Sequence, residues 1–115
     1  NFVSFNRDQP RAIELKRVEN LKGIYLSGLS EYLENVLAGS TIVLFGSYSM
    51  GEDTSTSDID IAVIERKEKV LELERFEKIL NRQINVNFYS SWKKIHKHLR
   101  NNILNGIVLH GSIEL

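Results

Sequence analysis

Apolar residues recur at helical spacing in the first third of the chain. Intervals of three and four residues after Asp8 and Pro10 predict an amphipathic helix, which Ser27-Gly28 interrupts. A second helical stripe ends at Gly39, a residue type common just after helices. The two predicted apolar stripes are Leu15, Val18, Leu21 and Tyr25, then Leu29, Leu33, Val36 and Leu37. We therefore predict an N-terminal helical segment over residues 1–39, in which Phe2–Phe5 fits a short strand.

The hydrophobic pattern changes after Gly39. A short, continuous apolar run at Thr41–Phe45 predicts a buried strand, and Ile59–Ile64 is a second such run that alternates at its start. Gln83–Tyr89 alternates throughout, as a strand with two different faces does. Helical stripes lie between and after these strands, and the chain ends in a segment that fits a short strand or hairpin. The two stripes are Val70, Leu73, Phe76, Ile79 and Leu80, then Trp92, Ile95, Leu99 and Ile103. The order of elements predicts an α+β (α/β) domain over residues 40–115, with a small mixed sheet packed with helices.

The composition is that of an ordinary soluble globular protein. A chain of 115 residues forms one domain, and the lack of cysteine excludes disulfides, thiolate zinc sites and cysteine nucleophiles. The formal net charge is zero, which gives no general reason to expect nucleic acid or an anionic membrane as a partner. No signal peptide and no apolar run near 18 residues are recognisable, so we expect a cytoplasmic protein.

Two carboxylates stand at the start of the second predicted strand. Asp58 and Asp60 are two positions apart, so both side chains project from one face, with Cα atoms about 7 Å apart. The two charges repel each other unless a cation lies between them. Oxygen ligands of this kind suit Mg²⁺, which commonly takes one or two protein carboxylates together with substrate phosphates. Two such ions about 4 Å apart could clamp both oxygens of an in-line phosphoryl transfer.

Gly46-Ser47 follows the first predicted strand and supplies hydrogen-bond donors, which suit an anion as the carboxylates suit a cation. A glycine at a strand end allows close backbone approach, and the turn points N–H groups and a hydroxyl outward. Phosphate oxygens accept hydrogen bonds from such groups. The intervening loop is small and polar, and Gly51 gives it a second flexible point.

The complete spacing, Gly46-Ser47, ten residues and Asp58-Ile59-Asp60, matches the GS-x10-DxD signature of the DNA polymerase beta-like nucleotidyltransferase superfamily. The short chain resembles the minimal nucleotidyltransferase domains of archaea and bacteria. This resemblance implies a mixed sheet of five or fewer strands with helices on one side. It also implies transfer of a nucleoside monophosphate from an NTP, with ATP expected, to a hydroxyl. Gly46 and Ser47 would then hold the triphosphate, while Asp58 and Asp60 would be the catalytic ligands of Mg²⁺ or Mn²⁺.

One position departs from the pattern of that superfamily. Its members usually carry a third carboxylate on a later strand beside the DxD strand, and the matching residue here is Asn85. An amide oxygen ligates a metal weakly and cannot act as a general base. Two alternatives follow: the domain binds nucleotide and metal without turnover, as a regulator, or an acid such as Glu52 or Asp53 completes the site. Asn85 and Asn87 also fit solvent-facing positions of a half-exposed strand.

The N-terminal sequence bears on partners. VSFNRDQPRAIELK resembles the stretch after the wing of winged helix-turn-helix modules that are fused to nucleotidyltransferase domains. Because the first residue is Asn1, we expect such a module upstream, and with it DNA as a partner. Some minimal nucleotidyltransferases are antitoxins that modify a helical toxin, so a toxin is a second expected partner. The N-terminal stripes also fit a homodimer contact.

The last predicted helix combines basic and aromatic residues. Lys93, Lys94, Lys97 and Arg100 fit a solvated face that pairs with the Glu-rich segment 66–78, or a surface for a polynucleotide or protein. His96 and His98 lack the spacing of a helical metal pair, and Trp92 fits the core.

Overall fold

The computed structural model describes residues 10–115 of the chain. This part contains five α-helices, one 3-10 turn and four strands. The helices are α1 (Pro10–Leu26), α2 (Leu29–Val36), α3 (Ser47–Met50), α4 (Glu74–Leu80) and α5 (Lys97–Leu104), and the 3-10 turn is Trp92–Lys94. The strands are β1 (Thr41–Phe45), β2 (Ile59–Ile64), β3 (Ile84–Tyr89) and β4 (Ile107–His110). No helix between residues 10 and 115 is long and apolar enough to cross a membrane.

The four strands form one mixed sheet in the order β3-β2-β1-β4. β1 pairs antiparallel with both β2 and β4, whereas β2 and β3 are parallel. The pairing aligns Phe45 with Asp60, and Asp60 with Asn85. One edge of the sheet therefore collects the end of β1 and the starts of β2 and β3.

Both faces of the sheet are covered, which is why the two central strands are almost continuously apolar. The first face packs against residues of α1, α2, α3 and α4. The second packs against the 3-10 turn, the residue that follows it and α5 through Trp92, Ile95 and Ile103. The predicted α+β class with a small mixed sheet is confirmed, but the expectation of helices on one side only is wrong, because α5 covers the second face.

The predicted N-terminal helices are present, but the first buries a different face from the one predicted. Leu15, Val18 and Tyr25 are 58%, 63% and 52% exposed, whereas Ala12 and Ile24 are buried. The buried side of α1 also includes polar residues that reach the loop after α3, described below. Periodicity predicted the helix correctly because Leu15, Val18 and Tyr25 do share a face, but that face points to solvent. The predicted strand Phe2–Phe5 and the helix start at Asp8 lie outside the described residues.

The helix predicted from Val70 is shorter than its apolar pattern suggests. α4 begins at Glu74, and Val70 is 93% exposed. The preceding segment, residues 66–73, is held against α2 by hydrogen bonds from Lys69 Nζ to the Val36 carbonyl and from the Glu72 N–H to the Tyr32 hydroxyl. The Glu72 N–H thus has a partner outside any helix.

The last helical stripe is divided between two short elements. Trp92 lies in the 3-10 turn, the backbone is extended at Ile95, and α5 begins at Lys97 after His96. The side chain of His96 accepts a hydrogen bond from the His98 N–H and so caps the new helix. The predicted core position of Trp92 is confirmed, with 6% exposure. The predicted terminal strand is β4, which adds to the sheet beside β1.

Candidate functional site

The carboxylates of Asp58 and Asp60 lie at the start of β2, on the sheet face that α5 covers. Side chains alternate along a strand, so Asp58 and Asp60 share a face with Ala62 and Ile64, which pack in the second core. Tyr89 packs against the same core. Burial raises the pKa of the Tyr89 phenol, and the negative charge of Asp60 raises it further. Both aspartates are partly exposed, so ligands can reach them.

Gly46 is the residue that makes room for Asp60. It follows β1 with φ +82°, and a Cβ placed on it would lie 2.7 Å from Asp60 Oδ2. A side chain here would be strained and would also displace the carboxylate. Helix α3 starts immediately afterwards with the exposed Ser47, and the first N–H groups of a helix have no partners within it. The predicted pair Gly46-Ser47 and the two aspartates are thus brought to one edge of the sheet.

Asn85 joins the two aspartates through hydrogen bonds. Its Nδ2 donates to Asp58 Oδ2 at 3.0 Å and to Asp60 Oδ1 at 3.3 Å. Gln83 Nε2 donates to Asn85 Oδ1 at 3.1 Å, so the amide oxygen faces Gln83 and not the carboxylates. The two carboxylates can only accept hydrogen bonds when ionised, which fixes this orientation of the amide. Asn85 therefore presents a donor where a third metal ligand would need an acceptor.

The loop acids do not complete the carboxylate pair. Asp53 is fully buried, its Oδ1 accepts from Asn20 Nδ2 at 2.8 Å, and its Oδ2 accepts from Arg82 at 3.1 Å. Between residues 10 and 115, no three His, Cys, Asp or Glu side chains are grouped as metal ligands, so Glu52 forms no such group with Asp58 and Asp60. The alternative in which an acid of this loop joins Asp58 and Asp60 is therefore wrong for the arrangement seen here.

Asp53 instead anchors the loop between α3 and β2. Lys16 on α1 approaches its Oδ1 at 3.4 Å and also donates to its backbone carbonyl. Burial raises the pKa of Asp53, but the hydrogen bonds from Arg82 and Asn20 and the charge of Lys16 outweigh it, so the pKa lies below its ordinary value. The carboxylate is thus held ionised inside the protein, and it ties the loop to α1 and to the turn before β3.

The same loop makes a close backbone contact with α1. Gly51 has φ +72°, and a Cβ on it would lie 2.5 Å from the carbonyl oxygen of Ile13 and 2.8 Å from the nitrogen of Arg17. Next to Asp58, the Thr54 N–H donates to Ser57 Oγ at 2.9 Å, and the Ser57 N–H donates back to the Thr54 carbonyl at 3.1 Å. The loop is therefore fixed at both ends.

Sequence reasoning missed the residues that hold this loop. Lys16, Asn20 and Arg82 lie 37, 33 and 29 positions from Asp53 along the chain. No local pattern links them, because each is one polar residue in a helix or turn. A detectable signal was the polar pair Lys16 and Asn20, four residues apart on α1, on a side of the helix away from the predicted stripe.

Comparison with known proteins agrees with the geometry of the site. A family model described as "Nucleotidyltransferase domain" matches residues 26–110, which includes every strand of the sheet and all five predicted site residues. None of the curated proteins compared with the chain matched it. Because the family model spans well over half of the sequence, the chain belongs to the nucleotidyltransferase domain family, whose general activity is nucleotidyl transfer.

Proposed function

We propose that this domain is a Mg²⁺-dependent nucleotidyltransferase that transfers a nucleoside monophosphate from an NTP to a hydroxyl of a protein or nucleic acid. One observation carries the proposal: the carboxylates of Asp58 and Asp60 project from one face of β2, directly beside the glycine turn at Gly46. The carboxylates would hold the cation, and the turn would hold the phosphates. A site that places anion-binding and cation-binding groups side by side suits a metal-bound triphosphate.

The donor set fits a hard divalent cation in part. Asp58 and Asp60 offer carboxylate oxygens, and the amide N–H groups of Asn85 already lie against both of them. The space between the two carboxylates therefore already accommodates partial positive charge, as it would have to for a cation. When bound, Mg²⁺ would neutralise charge on the phosphates and on the attacking and leaving oxygens. Among residues 10–115, only Asp58 and Asp60 offer charged ligands at this place, so we expect the affinity to be lower than in a site with three.

The remaining roles belong to the turn after β1. The backbone N–H groups at the start of α3 and the Ser47 hydroxyl would donate to triphosphate oxygens. Gly46, without a side chain, would let those oxygens approach the backbone closely. The loop tied down by Asp53 would keep Ser47 and Asp58 at a constant separation. Positioning of this kind, together with electrostatic stabilisation, accounts for most of the catalysis in phosphoryl transfer.

Asn85 limits the chemistry that the site can perform. It cannot accept the proton of the acceptor hydroxyl, so that proton would pass to solvent or to the substrate. To ligate a cation, the amide would have to turn over and give up its hydrogen bonds with Asp58, Asp60 and Gln83. We therefore expect slow transfer, with nucleotide binding better preserved than turnover.

Binding is the first test. ATP and GTP with Mg²⁺ would be titrated calorimetrically into the wild-type protein and the Asp58→Asn, Asp60→Asn double variant. The matched control is Glu68→Gln, Glu72→Gln, which removes two exposed carboxylates from the segment 66–73. We expect binding to the wild type and to the control, and at least a tenfold loss in the aspartate variant. Equal binding to all three proteins would remove the carboxylates from the nucleotide site.

Transfer is the second test. The protein would be incubated with labelled NTPs, Mg²⁺ or Mn²⁺, and candidate acceptors of both the protein and nucleic-acid classes. Label should appear on an acceptor with the wild type and the glutamate control, and disappear with the aspartate variant. Label that survives both aspartate substitutions would exclude Asp58 and Asp60 as catalytic residues.

A second candidate function is a regulatory domain that binds nucleotide without turnover. The donor orientation of Asn85 favours it, because Asn85 then provides neither a third anionic ligand nor a base. Asn85→Asp distinguishes the two candidates in the transfer assay. Transfer seen only in Asn85→Asp would support the regulatory role of the natural protein. Transfer by the wild type that Asn85→Asp leaves unchanged would exclude Asn85 as the limiting residue.

A further inference from the structure

Positive charge is concentrated near the C-terminal end of this neutral chain. Residues 90–113 contain four Lys or Arg residues and no Asp or Glu, whereas the complete chain has 15 of each kind. The rest of the protein therefore has a formal charge of −4. We call the surface formed by Lys93, Lys94, Lys97 and Arg100 the basic surface.

The charges of the basic surface are not neutralised within the described part of the protein. The three lysines are exposed and Arg100 is partly exposed. Across residues 10–115, the ion pairs engage Lys16, Lys78, Arg82 and His110, and none involves a residue of the basic surface. The Glu-rich segment 66–78, which the sequence offered as a partner, forms its own pair between Lys78 and Glu74. A polyanion could thus approach the basic surface without displacing a bound carboxylate.

The basic surface shares a sheet face with Asp58 and Asp60. The 3-10 turn and α5 pack on the face from which both carboxylates project. The chain after α5 returns to the edge that holds the site: Gly106 lies against Phe45, and Phe45 pairs with Asp60. Strand β3, which leads from the site towards Trp92, has six residues and spans about 20 Å. An extended polyanion bound at the lysines could therefore reach the carboxylates.

The other exposed groups on this side favour nucleic acid over a protein or a membrane. No large apolar side chain between residues 93 and 102 is exposed. Protein interfaces usually have an apolar centre, and membrane-binding helices need an apolar face. Asn101, four residues after Lys97, continues the basic surface along α5, and Asn87 is exposed on β3, the strand that leads to the 3-10 turn. Cations with neighbouring amides suit phosphates, sugars and base edges.

We propose that the basic surface binds a single-stranded nucleic acid, whose terminal hydroxyl then lies at the carboxylate edge of the sheet as the acceptor. The choice of acceptor rests on the proposed transferase function, whereas strand binding does not. The lysines provide affinity through phosphate contacts, and the amide of Asn87 lies on β3 between the Asp60 end of the sheet and the 3-10 turn. The attacking hydroxyl would form a bond to the α-phosphorus of the NTP, pyrophosphate would leave, and the hydroxyl proton would pass to solvent.

The test is binding of a fluorescein-labelled single-stranded RNA of mixed sequence, followed by anisotropy without Mg²⁺ or NTP. The test variant is Lys93→Gln, Lys94→Gln, Lys97→Gln. The control variant, Lys22→Gln, Lys67→Gln, Lys78→Gln, removes the same charge from exposed lysines elsewhere. Three phosphate contacts on a single strand give a log–log salt slope of about −2, so wild-type affinity should fall about 16-fold between 50 and 200 mM salt. At 50 mM salt the test variant should bind at least tenfold more weakly, and the control within twofold of wild type.

Two results would overturn the inference. One is equal weakening by the test and control variants, which would mean that only net charge matters. The other is failure of unlabelled RNA to displace the label better than poly-glutamate of equal charge, which would indicate an acidic protein as the partner. The lysine variant should bind ATP as the wild type does. If the lysine variant loses RNA binding but still binds ATP, the result supports the basic surface and says nothing about the transferase site. Whether the aspartate variant loses ATP binding tests the transferase site and says nothing about the basic surface.

Discussion

The buried carboxylate of Asp53 gives the clearest stability prediction. Its side chain is fully buried and accepts hydrogen bonds from Arg82 and Asn20, while Lys16 lies within ion-pair distance. Asp53→Asn keeps the shape of the side chain but removes the charge that compensates Arg82, which is only 17% exposed. Breaking a buried pair in this way costs about 3 kcal/mol of unfolding free energy. For a domain of this size, that corresponds to a fall in Tm of roughly 10 °C.

The matched control is Glu74→Gln. It makes the same carboxylate-to-amide change and also breaks one ion pair, but Glu74 is 83% exposed. Exposed pairs of this kind contribute about 0.5 kcal/mol or less. Urea unfolding can be followed through Trp92, the only tryptophan of the chain, which is buried. A loss for Asp53→Asn no larger than that for Glu74→Gln would refute the view that the loop is held by a buried ion network.

The same variant has a defined pH dependence. The pKa of Asp53 in the folded protein lies below its value in the unfolded chain, which is about 3.9. Its contribution to stability is therefore fully present above the unfolded pKa and is lost as the pH falls through the folded pKa. The difference between wild type and Asp53→Asn should be constant from pH 7 to pH 5 and should shrink below about pH 4. A difference that grew on acidification would contradict this assignment of the charge.

Three further predictions test other parts of the structure. Gly51→Ala should cost at least about 2 kcal/mol more than Gly39→Ala, because both have positive φ but only Gly51 has the backbone of α1 against its Cβ position; equal losses in urea unfolding would argue against that contact. Val18→Ala should change stability by less than about 0.5 kcal/mol, whereas Ile24→Ala should cost about 3 kcal/mol because Ile24 is fully buried; the reverse order would restore the predicted stripe as the buried face of α1. Asn85→Asp should lower Tm without metal, since it places a third carboxylate against two others, and Mg²⁺ should then raise Tm by several degrees more than in wild type; an equal effect of Mg²⁺ on both proteins would place the cation elsewhere.

Much of the fold follows from local sequence. The short runs at Thr41–Phe45 and Ile59–Ile64 favour strands by their length and their β-branched residues. Gly28 separates α1 from α2 as expected, whereas α2 ends at Val36, before the predicted stop at Gly39. Four of the candidate site residues, Gly46, Ser47, Asp58 and Asp60, were visible because one turn, one loop and one strand set the spacing from Gly46 to Asp60. Their meeting at one edge of the sheet depends only on β1 and β2 being neighbours. Geometry over so short a stretch of chain follows directly from the order of the residues.

Long-range contacts determine which face of α1 is buried and how the Asn85 side chain is oriented. Periodicity predicted α1, but the packing of its polar side on Asp53 determined which face is buried, because a buried charge must find its partners wherever they lie. Tertiary contacts also determine the role of Asn85. Its position in the sequence predicted that it belongs to the site, but only the parallel register with Asp60 and the hydrogen bond from Gln83 show that it presents a donor. Local sequence is enough to specify the strands, the turn and the pair of carboxylates. Contacts between residues about 25 or more positions apart determined how the loop is held and what lies between those carboxylates, since hydrogen bonds and burial depend on distance in space and not along the chain.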